Sequence, residues 1–345
     1  MPDPLPPALV LTAGLGRRLA PLTDVRAKPA VPVAGRPLVL RILDWLARQG
    51  VADVVLNLHH RPETITRAVG YGAAAGVRVR YSWEPALLGS AGGPRQALPL
   101  LGPRFFVVNG DTLTDLRLRE LLDSHRRTGA AVTLGVTPHP DPARYGGGLV
   151  ASDGRVRGVA PAGGGAAAHF VGVQVVEASA FASLPAGRPA STVGGLYDRL
   201  VGSSGDGPGG IRALGGRARF LDVGTPPDYL AVCAAVAAKE RPGSPGPASA
   251  PAPGAGSIVH PTAVLTNTVV WDRVVIGPRC RLEDCIVTDD VDLPAGTELR
   301  RAICVAHARA PGTTADRTGP PRSQQARVIG NARVFALSPA PGAEP

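Results

Sequence analysis

The sequence predicts an α/β chain: a doubly wound, mostly parallel sheet over residues 1–240, followed by a short left-handed parallel β-helix over residues 258–307. Three observations carry this. Short apolar runs alternate with amphipathic stretches through the first 240 residues, the pattern of strand–helix–strand units. Residues 241–257 are almost entirely Pro, Gly, Ala and Ser, the composition of a linker. Beyond them aliphatic residues recur every six positions at Ile258, Val264, Val270, Ile276 and Leu282. After a one-residue slip the beat resumes at Val287, Leu293, Leu299 and Val305. That is a hexapeptide repeat, with two to three coils at about eighteen residues each. A few antiparallel strands are the alternative for this segment. From residue 308 to 345 the chain turns Pro- and Gly-rich and is expected to be disordered.

The first strand ends in a glycine-rich turn. Leu9-Val10-Leu11 runs into Thr12-Ala13-Gly14-Leu15-Gly16-Arg17-Arg18-Leu19, and Lys28-Pro29 follows. Glycines let backbone N–H groups converge on an anion, and Arg18 and Lys28 can neutralise it. A dinucleotide fingerprint would need glycine where Leu19 stands, and a P-loop would need Gly-Lys-Ser/Thr. An ordinary strand-to-helix turn with surface arginines is the competing reading. Lys28 and Lys239 are the only lysines among 37 cationic side chains, so a lysine inside this motif is not a casual charge.

Val39, Ile42, Leu43 and Leu46 recur at helical spacing, and Gly50 stands where a C-cap glycine belongs. Val54–Leu58 is a buried strand, a helix starts near Pro62, and Val77–Tyr81 is a third strand. His59 and His60 are adjacent on an emerging strand and point opposite ways, so they do not chelate together. Glu84-Pro85-Ala86-Leu87-Leu88-Gly89-Ser90-Ala91-Gly92-Gly93 offers small residues for close backbone approach, with a helix after Ser90. Phe105–Val108 is an apolar strand running into Asn109-Gly110-Asp111. A helix over 116–127 and strands over 131–136 and 170–175 follow. Phe220-Leu221 ends in Asp222, and Pro226-Pro227 starts a further helix.

Composition narrows the function classes. The formal charge is +10, but the arginines are scattered and aromatic content is 4%, without basic runs interleaved with rings, so nucleic acid is not the expected partner. Cys233, Cys280, Cys285 and Cys304 have neither zinc nor redox spacing. No apolar run reaches membrane-spanning length, and Met1-Pro2-Asp3-Pro4 lacks a charged-then-apolar leader. A cytoplasmic protein with no membrane partner is expected.

The run Leu11–Thr23 with Lys28-Pro29 and Pro32-Val33 resembles the signature of the sugar-1-phosphate nucleotidyltransferases, roughly L-A-A-G-x-G-T-R-L-x-P-L-T followed by P-K-P and P-V. Arg17 stands for the usual Thr, and Ala27 for the Pro before Lys28. Leu88-Gly89-Ser90-Ala91-Gly92 resembles the family's L-G-T-A-G loop, and Leu221–Leu230 its D-I-G-T-P-x-D-Y-L segment.

The resemblance implies a Rossmann-like nucleotidyltransferase fold and the reaction of an NTP with a sugar 1-phosphate to give an NDP-sugar and pyrophosphate. It implies nucleotide contacts from Leu11, Ala13, Gly14, Leu15, Gly16, Arg18, Lys28, Glu84, Leu88, Gly89 and Ser90. It implies catalytic roles for Arg18, Lys28 and Asp111, with Mg²⁺ on Asp111 and Asp222. Asn109, Tyr145, Gly146, Gly147 and Gly172 are the implied sugar-phosphate residues. The family's E-K-P element is missing from Val159–Gly165, a departure in the sugar-phosphate grip. Mannose 1-phosphate with GTP is the first expectation. Glucose 1-phosphate or an amino-sugar phosphate with UTP or dTTP, and a non-catalytic nucleotide-sugar-binding regulatory subunit, are the alternatives. An acyltransferase role for the hexapeptide segment is disfavoured, because its imidazoles, His260 and His307, lie at its edges. A homo-oligomer through the β-helix is expected.

Overall fold

The computed structural model describes residues 3–143, 146–165, 168–203, 209–240, 252–307 and 327–338. They form two compact units. The first comprises Met1–Leu15, Ala27–Ala30 and Pro37–Asp222; the second comprises Gly16–Arg26, Val31–Arg36 and Val223–Pro345.

In the first unit the order is β1 (Ala8–Leu11), α1 (Leu38–Gln49), β2 (Asp53–Leu58), α2 (Pro62–Val69), β3 (Arg78–Trp83), α3 (Gly89–Ala97) and β4 (Arg104–Asn109). Then come β5 (Thr112–Thr114), α4 (Leu118–Thr128), β6 (Val132–Pro138), β7 (Gly147–Val150), β8 (Val156–Ala160) and β9 (Ala168–Glu177). The unit closes with α5 (Ala178–Ala182), α6 (Tyr197–Ser203), β10 (Ile211–Gly215) and β11 (Phe220–Asp222). Helix α1 lays Leu38, Val39, Ile42, Leu43 and Leu46 on its buried face. It ends at Gly50 with φ 96°, a left-handed cap that glycine adopts without a Cβ penalty.

The sheet order is β8-β7-β9-β4-β1-β2-β3, with β6 on β9 and β10 on β6. Strands β3, β2, β1 and β4 are parallel throughout. Beyond β4 the sheet is mixed: β9 runs antiparallel to both β4 and β6, while β10 is parallel to β6. The chain returns from β6 to β9 through the β7–β8 hairpin and not through a crossover helix, so an antiparallel return is the geometric outcome. The parallel half is as the alternation predicts; the mixed half was not legible in it. Leu9, Val55, Phe105, Val107, Val176 and Phe181 belong to one buried core of this unit.

In the second unit, Thr225 caps helix α7 (Pro226–Glu240). Its N–H donates to Asp228 Oδ2 at 3.0 Å, and Asp228 N–H returns a bond to Thr225 Oγ1 at 3.4 Å. This reciprocal pair is a capping box with Asp in the acid position.

After residue 251 the strands form two three-stranded parallel sheets and a third sheet of five strands, three of them parallel. Ile258–Val259 pairs Val275–Ile276, then Asp292–Leu293; Val264–Thr266 pairs Arg281–Glu283, then Glu298–Arg300; Val269–Val270 pairs Ile286–Val287, then part of Ala302–Ala306. Every pairing joins a residue to the one seventeen positions on, as in Val259↔Ile276↔Leu293. The eighteen-residue expectation is thereby corrected. The buried members are Val270, Ile276, Leu282, Val287, Leu293 and Leu299; Val305 is half-buried, with Cys304 in the core position beside it, while Ile258 and Val264 are exposed. Ile258 and Val264 each have an aliphatic neighbour, Val259 or Leu265, that takes the inward position, so the six-residue beat started one place early.

The tail is also corrected in part. Arg327–Ile329 and Ala332–Ala336 form an antiparallel hairpin that pairs with Ala302–Ala306. Val334 and Ile329 pack on the repeat's core, a local apolar signal masked by the composition around it. Residues 308–326, 339–345 and the linker positions 241–251 lie outside the described residues.

Candidate active site

Strands β2 and β3 lie on one side of β1 and β4 on the other, so the strand order reverses between β1 and β4. A parallel sheet opens a crevice at the carboxyl ends of its strands at such a reversal. Leu11 and Asn109 are paired at those ends. Gly110 follows, its N–H donating to Leu11 O at 3.1 Å, and any Cβ there would run into that carbonyl. The glycine lets the chain turn tightly and presents Asp111 beyond the sheet.

Lys28 is buried and its Nζ bonds Asp111 Oδ2 at 2.7 Å. Asp111 Oδ1 accepts from Thr112 Oγ1 at 3.2 Å. The second acid arrives by an unexpected route. Asp222 does not end a strand of the large sheet; β11 forms a separate antiparallel pair with β5, in which Asp222 stands opposite Thr112. Two acidic residues 111 positions apart in sequence thus become neighbours through a three-residue strand.

Asn109 meets Gly172. The glycine has φ +78° at a register shift of β9, and a Cβ there would lie 3.1 Å from Asn109 Cβ. The missing side chain leaves room for the carboxamide. Gly147 sits inside strand β7, paired with Ala160, and Gly146 O accepts from, or faces, His139 Nε2 at 3.3 Å. Tyr145 lies outside the described residues. The His139 and His169 rings are edge-on at 5.2 Å, and His169 lies 4.5 Å from the Phe220 ring. Burial, and then the neighbouring His139, push the His169 pKa below the ordinary histidine value.

Glu84 sits at the centre of a hydrogen-bonded network. It is fully buried, and both carboxylate oxygens are engaged: Oε1 accepts from Asn57 Nδ2 at 2.7 Å and Oε2 from Leu88 N–H at 2.9 Å. Asn57 Oδ1 in turn accepts from Thr12 N–H at 2.7 Å, and Thr12 Oγ1 donates to Asn57 O. Glu84 therefore ties together the ends of β1, β2 and β3. Thr12 and Asn57 were missed as site-shaping residues. An asparagine inside the apolar run Val54–Leu58 was the available signal, since a buried amide needs partners.

The glycine loop at α3 is tied to the segment Ala190–Thr192. Gly89 has φ +76°, and Ala91 and Gly92 N–H donate to Ala190 O at 2.9 and 3.2 Å. Ser90 Oγ lies 3.0 Å from Thr192 Oγ1 and accepts from Thr192 N–H at 2.9 Å. Leu88 is buried; Gly89 and Ser90 are exposed. Ala13 is buried, whereas Gly14 is exposed with open space where a Cβ would stand.

Gly16 and Arg18 belong to the second unit. Gly16 is left-handed, φ 60°, and opens the short helical turn Arg17–Leu19; Leu15 precedes it, and Arg18 is exposed.

The nucleotidyl transferase family model matches residues 7–160. A mannose-1-phosphate guanylyltransferase of Mycobacterium tuberculosis is 32% identical over 314 residues, 85% of this chain and 83% of that protein. The chain belongs to the sugar-1-phosphate nucleotidyltransferase family. A second relative, the N-acetylmuramate alpha-1-phosphate uridylyltransferase of Neisseria meningitidis, is 49% identical over 111 residues, 32% of this chain and 48% of that one. Among solved structures, HddC from Yersinia pseudotuberculosis superposes with TM-score 0.58 at 23% identity, over 67% of this chain and all of that one; it has also been solved with GMP-PN. These structural likenesses show the fold. The nucleotidyltransferase is thus an enzyme of sugar-nucleotide synthesis, with a parallel-rich α/β sheet. Among the described residues no helix is long and apolar enough to cross a membrane.

Proposed function

We propose that this nucleotidyltransferase transfers GMP from GTP to mannose 1-phosphate in the cytoplasm, releasing pyrophosphate, with Mg²⁺ held by Asp111 and Asp222. The observation that carries the site is the pair of buried Lys28 and half-buried Asp111 beside the Asp222–Thr112 register position. The donor set suits a hard divalent cation. It offers carboxylate oxygens only, and among the described residues there is no cluster of three or more His, Cys, Asp or Glu that would make a dedicated cage. Mg²⁺ commonly uses one or two carboxylates and completes its shell with phosphates and water. When bound, it neutralises charge on the triphosphate.

The attacking group is an oxygen of the sugar phosphate, already ionised near neutrality because a phosphate's second pKa is about 6. It forms a bond to the α-phosphorus as the bond to the bridging α–β oxygen breaks, and pyrophosphate departs with that electron pair. No general base is required. The protein's work is to bring two polyanions into line and offset their charge. Lys28 serves the α-phosphate and the sugar phosphate, Arg18 the leaving pyrophosphate, and Gly14 and Gly16 the backbone contacts. Asn109 and Gly172 border the sugar side, with Tyr145, Gly146 and Gly147. We read the seventeen-residue repeat as a left-handed β-helix through which copies assemble.

An amino-sugar phosphate with UTP is a second reading, favoured by the Neisseria relative. Pyrophosphate release measured across GTP, UTP and dTTP against mannose, glucose and amino-sugar 1-phosphates decides between them. Turnover is expected to stop in EDTA and return with Mg²⁺. No pyrophosphate from any pair would leave the non-catalytic regulatory subunit; turnover in fully chelated buffer would remove the metal from the scheme.

A further inference from the structure

The second unit contains a side-chain node that no part of the proposed chemistry uses. Arg26 Nε donates to Asp289 Oδ2 at 2.7 Å, and one terminal nitrogen donates to Asp289 Oδ1 at 2.6 Å and Asp272 Oδ2 at 2.5 Å. The guanidinium carbon lies 5.3 Å from the Trp271 ring centre. Asp272 and Asp289 are seventeen residues apart, equivalent positions in successive turns of the repeat, so the stacking itself builds a two-carboxylate receptor for one guanidinium.

The receptor is fixed from behind. Asp272 N–H donates to Asp289 Oδ1 at 3.1 Å, and Ala255 N–H to Asp272 Oδ1 at 2.8 Å. Trp271, fully buried, donates its Nε1–H to Tyr229 Oη at 2.8 Å, and Tyr229 donates to Pro32 O at 2.5 Å. Arg26 keeps a side-chain exposure of 15%, Asp289 of 10% and Asp272 of 28%, so this is not a solvent-screened surface pair. A forked, charge-assisted contact of this kind fixes direction as well as distance.

Arg26 ends the loop that begins at Gly16 and carries Arg18. The loop is a pair of tight turns: Leu19 N–H to Gly16 O at 2.9 Å, Asp24 N–H to Pro21 O at 3.0 Å, Val25 N–H to Leu22 O at 3.1 Å. Leu19 and Leu22 anchor its middle, fully buried. Lys28 follows Arg26 by two residues in the chain.

We propose that Arg26 is a positioning residue through which the C-terminal repeat holds the Arg18 loop in its working conformation. The repeat is then part of the catalytic apparatus and not only an assembly module. This rests on the reading of Arg18 as the pyrophosphate-side cation, and the test separates the two. Full-length Arg26→Ala, Arg26→Lys and Asp289→Asn are compared with the unaltered chain by hydrogen exchange, steady-state kinetics and thermal unfolding. In Arg26→Ala the amides of Leu19, Asp24 and Val25 are expected to exchange faster. KM for the NTP should rise, with kcat/KM falling on the order of 10–100-fold, the scale of a small misplacement. KM for the sugar 1-phosphate should hold, and Arg26→Lys should restore part of the loss. Unchanged exchange in residues 16–26 of Arg26→Ala and Asp289→Asn overturns the proposal whatever the activity. Faster exchange with both KM values and kcat unchanged overturns the role assigned to Arg18 while leaving the anchor standing. If Arg26→Ala unfolds, Asp289→Asn, which keeps the guanidinium and one carboxylate, supplies the same readings.

Discussion

Lys28 and Asp111 are the pair on which the proposed chemistry turns. Lys28 Nζ and Asp111 Oδ2 lie 2.7 Å apart, the lysine buried and the acid half-buried. Lys28→Ala or Asp111→Ala is expected to lower kcat by about 10²–10³-fold, the usual cost of removing a group aimed at transition-state charge. The far-ultraviolet circular dichroism should be unchanged; near-native pyrophosphate release would refute the assignment. Glu84 predicts the opposite pattern. Glu84→Ala strands the Asn57 amide and the Leu88 N–H in a dry environment, at about 1–3 kcal/mol for each orphaned group. Urea unfolding should show that loss, and a midpoint within error of the unaltered chain would mean the network contributes nothing to stability.

At the scale of elements, β9 shows how a single glycine shapes the site. Gly172→Ala forces a left-handed residue at φ +78° and crowds Asn109, so a loss of about 1–2 kcal/mol is expected together with a raised KM for the sugar 1-phosphate. Kinetics and denaturation on the same preparation check both. Elements whose residues carry their own periodicity were legible in sequence: α1 with its Gly50 cap, the apolar runs of β1, β2 and β4, and the repeat after residue 257. Elements defined by a partner were not. The three-residue strand β11 has no pattern of its own and exists because β5 lies beside it. For the same reason Asp222 was recognisable as a motif residue, but its position opposite Thr112 was not. The burial of Glu84 was not legible either, because its partner Asn57 lies 27 positions earlier.

For the whole molecule, buried imidazoles set the acid limit. His125 is almost fully buried, with Nδ1 2.8 Å from Thr133 Oγ1 and Nε2 3.0 Å from Glu177 Oε1. Burial lowers its pKa from 6.5, against the opposing pull of Glu177, and His169 is lowered as well. A depressed histidine favours the fold while neutral, so this stability is complete above the unfolded value near 6.5 and is lost as pH falls through the folded values. Asp53, hydrogen-bonded by Arg78, and Asp290, hydrogen-bonded by Arg273, are held below 3.8, so their contribution disappears in a lower window. Thermal unfolding between pH 7 and 5 should show a falling midpoint, shallower in His125→Gln; equal slopes would exclude His125 as a cause.

The hairpin over residues 327–338 has a consequence for how the molecule behaves in a crowd. It lays Ala332–Ala336 along Ala302–Ala306, and the Asn331 side chain takes the Asp292 N–H and the Asp290 carbonyl. The last turn of a stack of parallel strands would otherwise offer bare amides and carbonyls to any similar stack. Excising 327–338 should therefore produce concentration-dependent light scattering, where the intact chain stays dispersed. Those twelve residues terminate a ladder that could in principle be climbed without end.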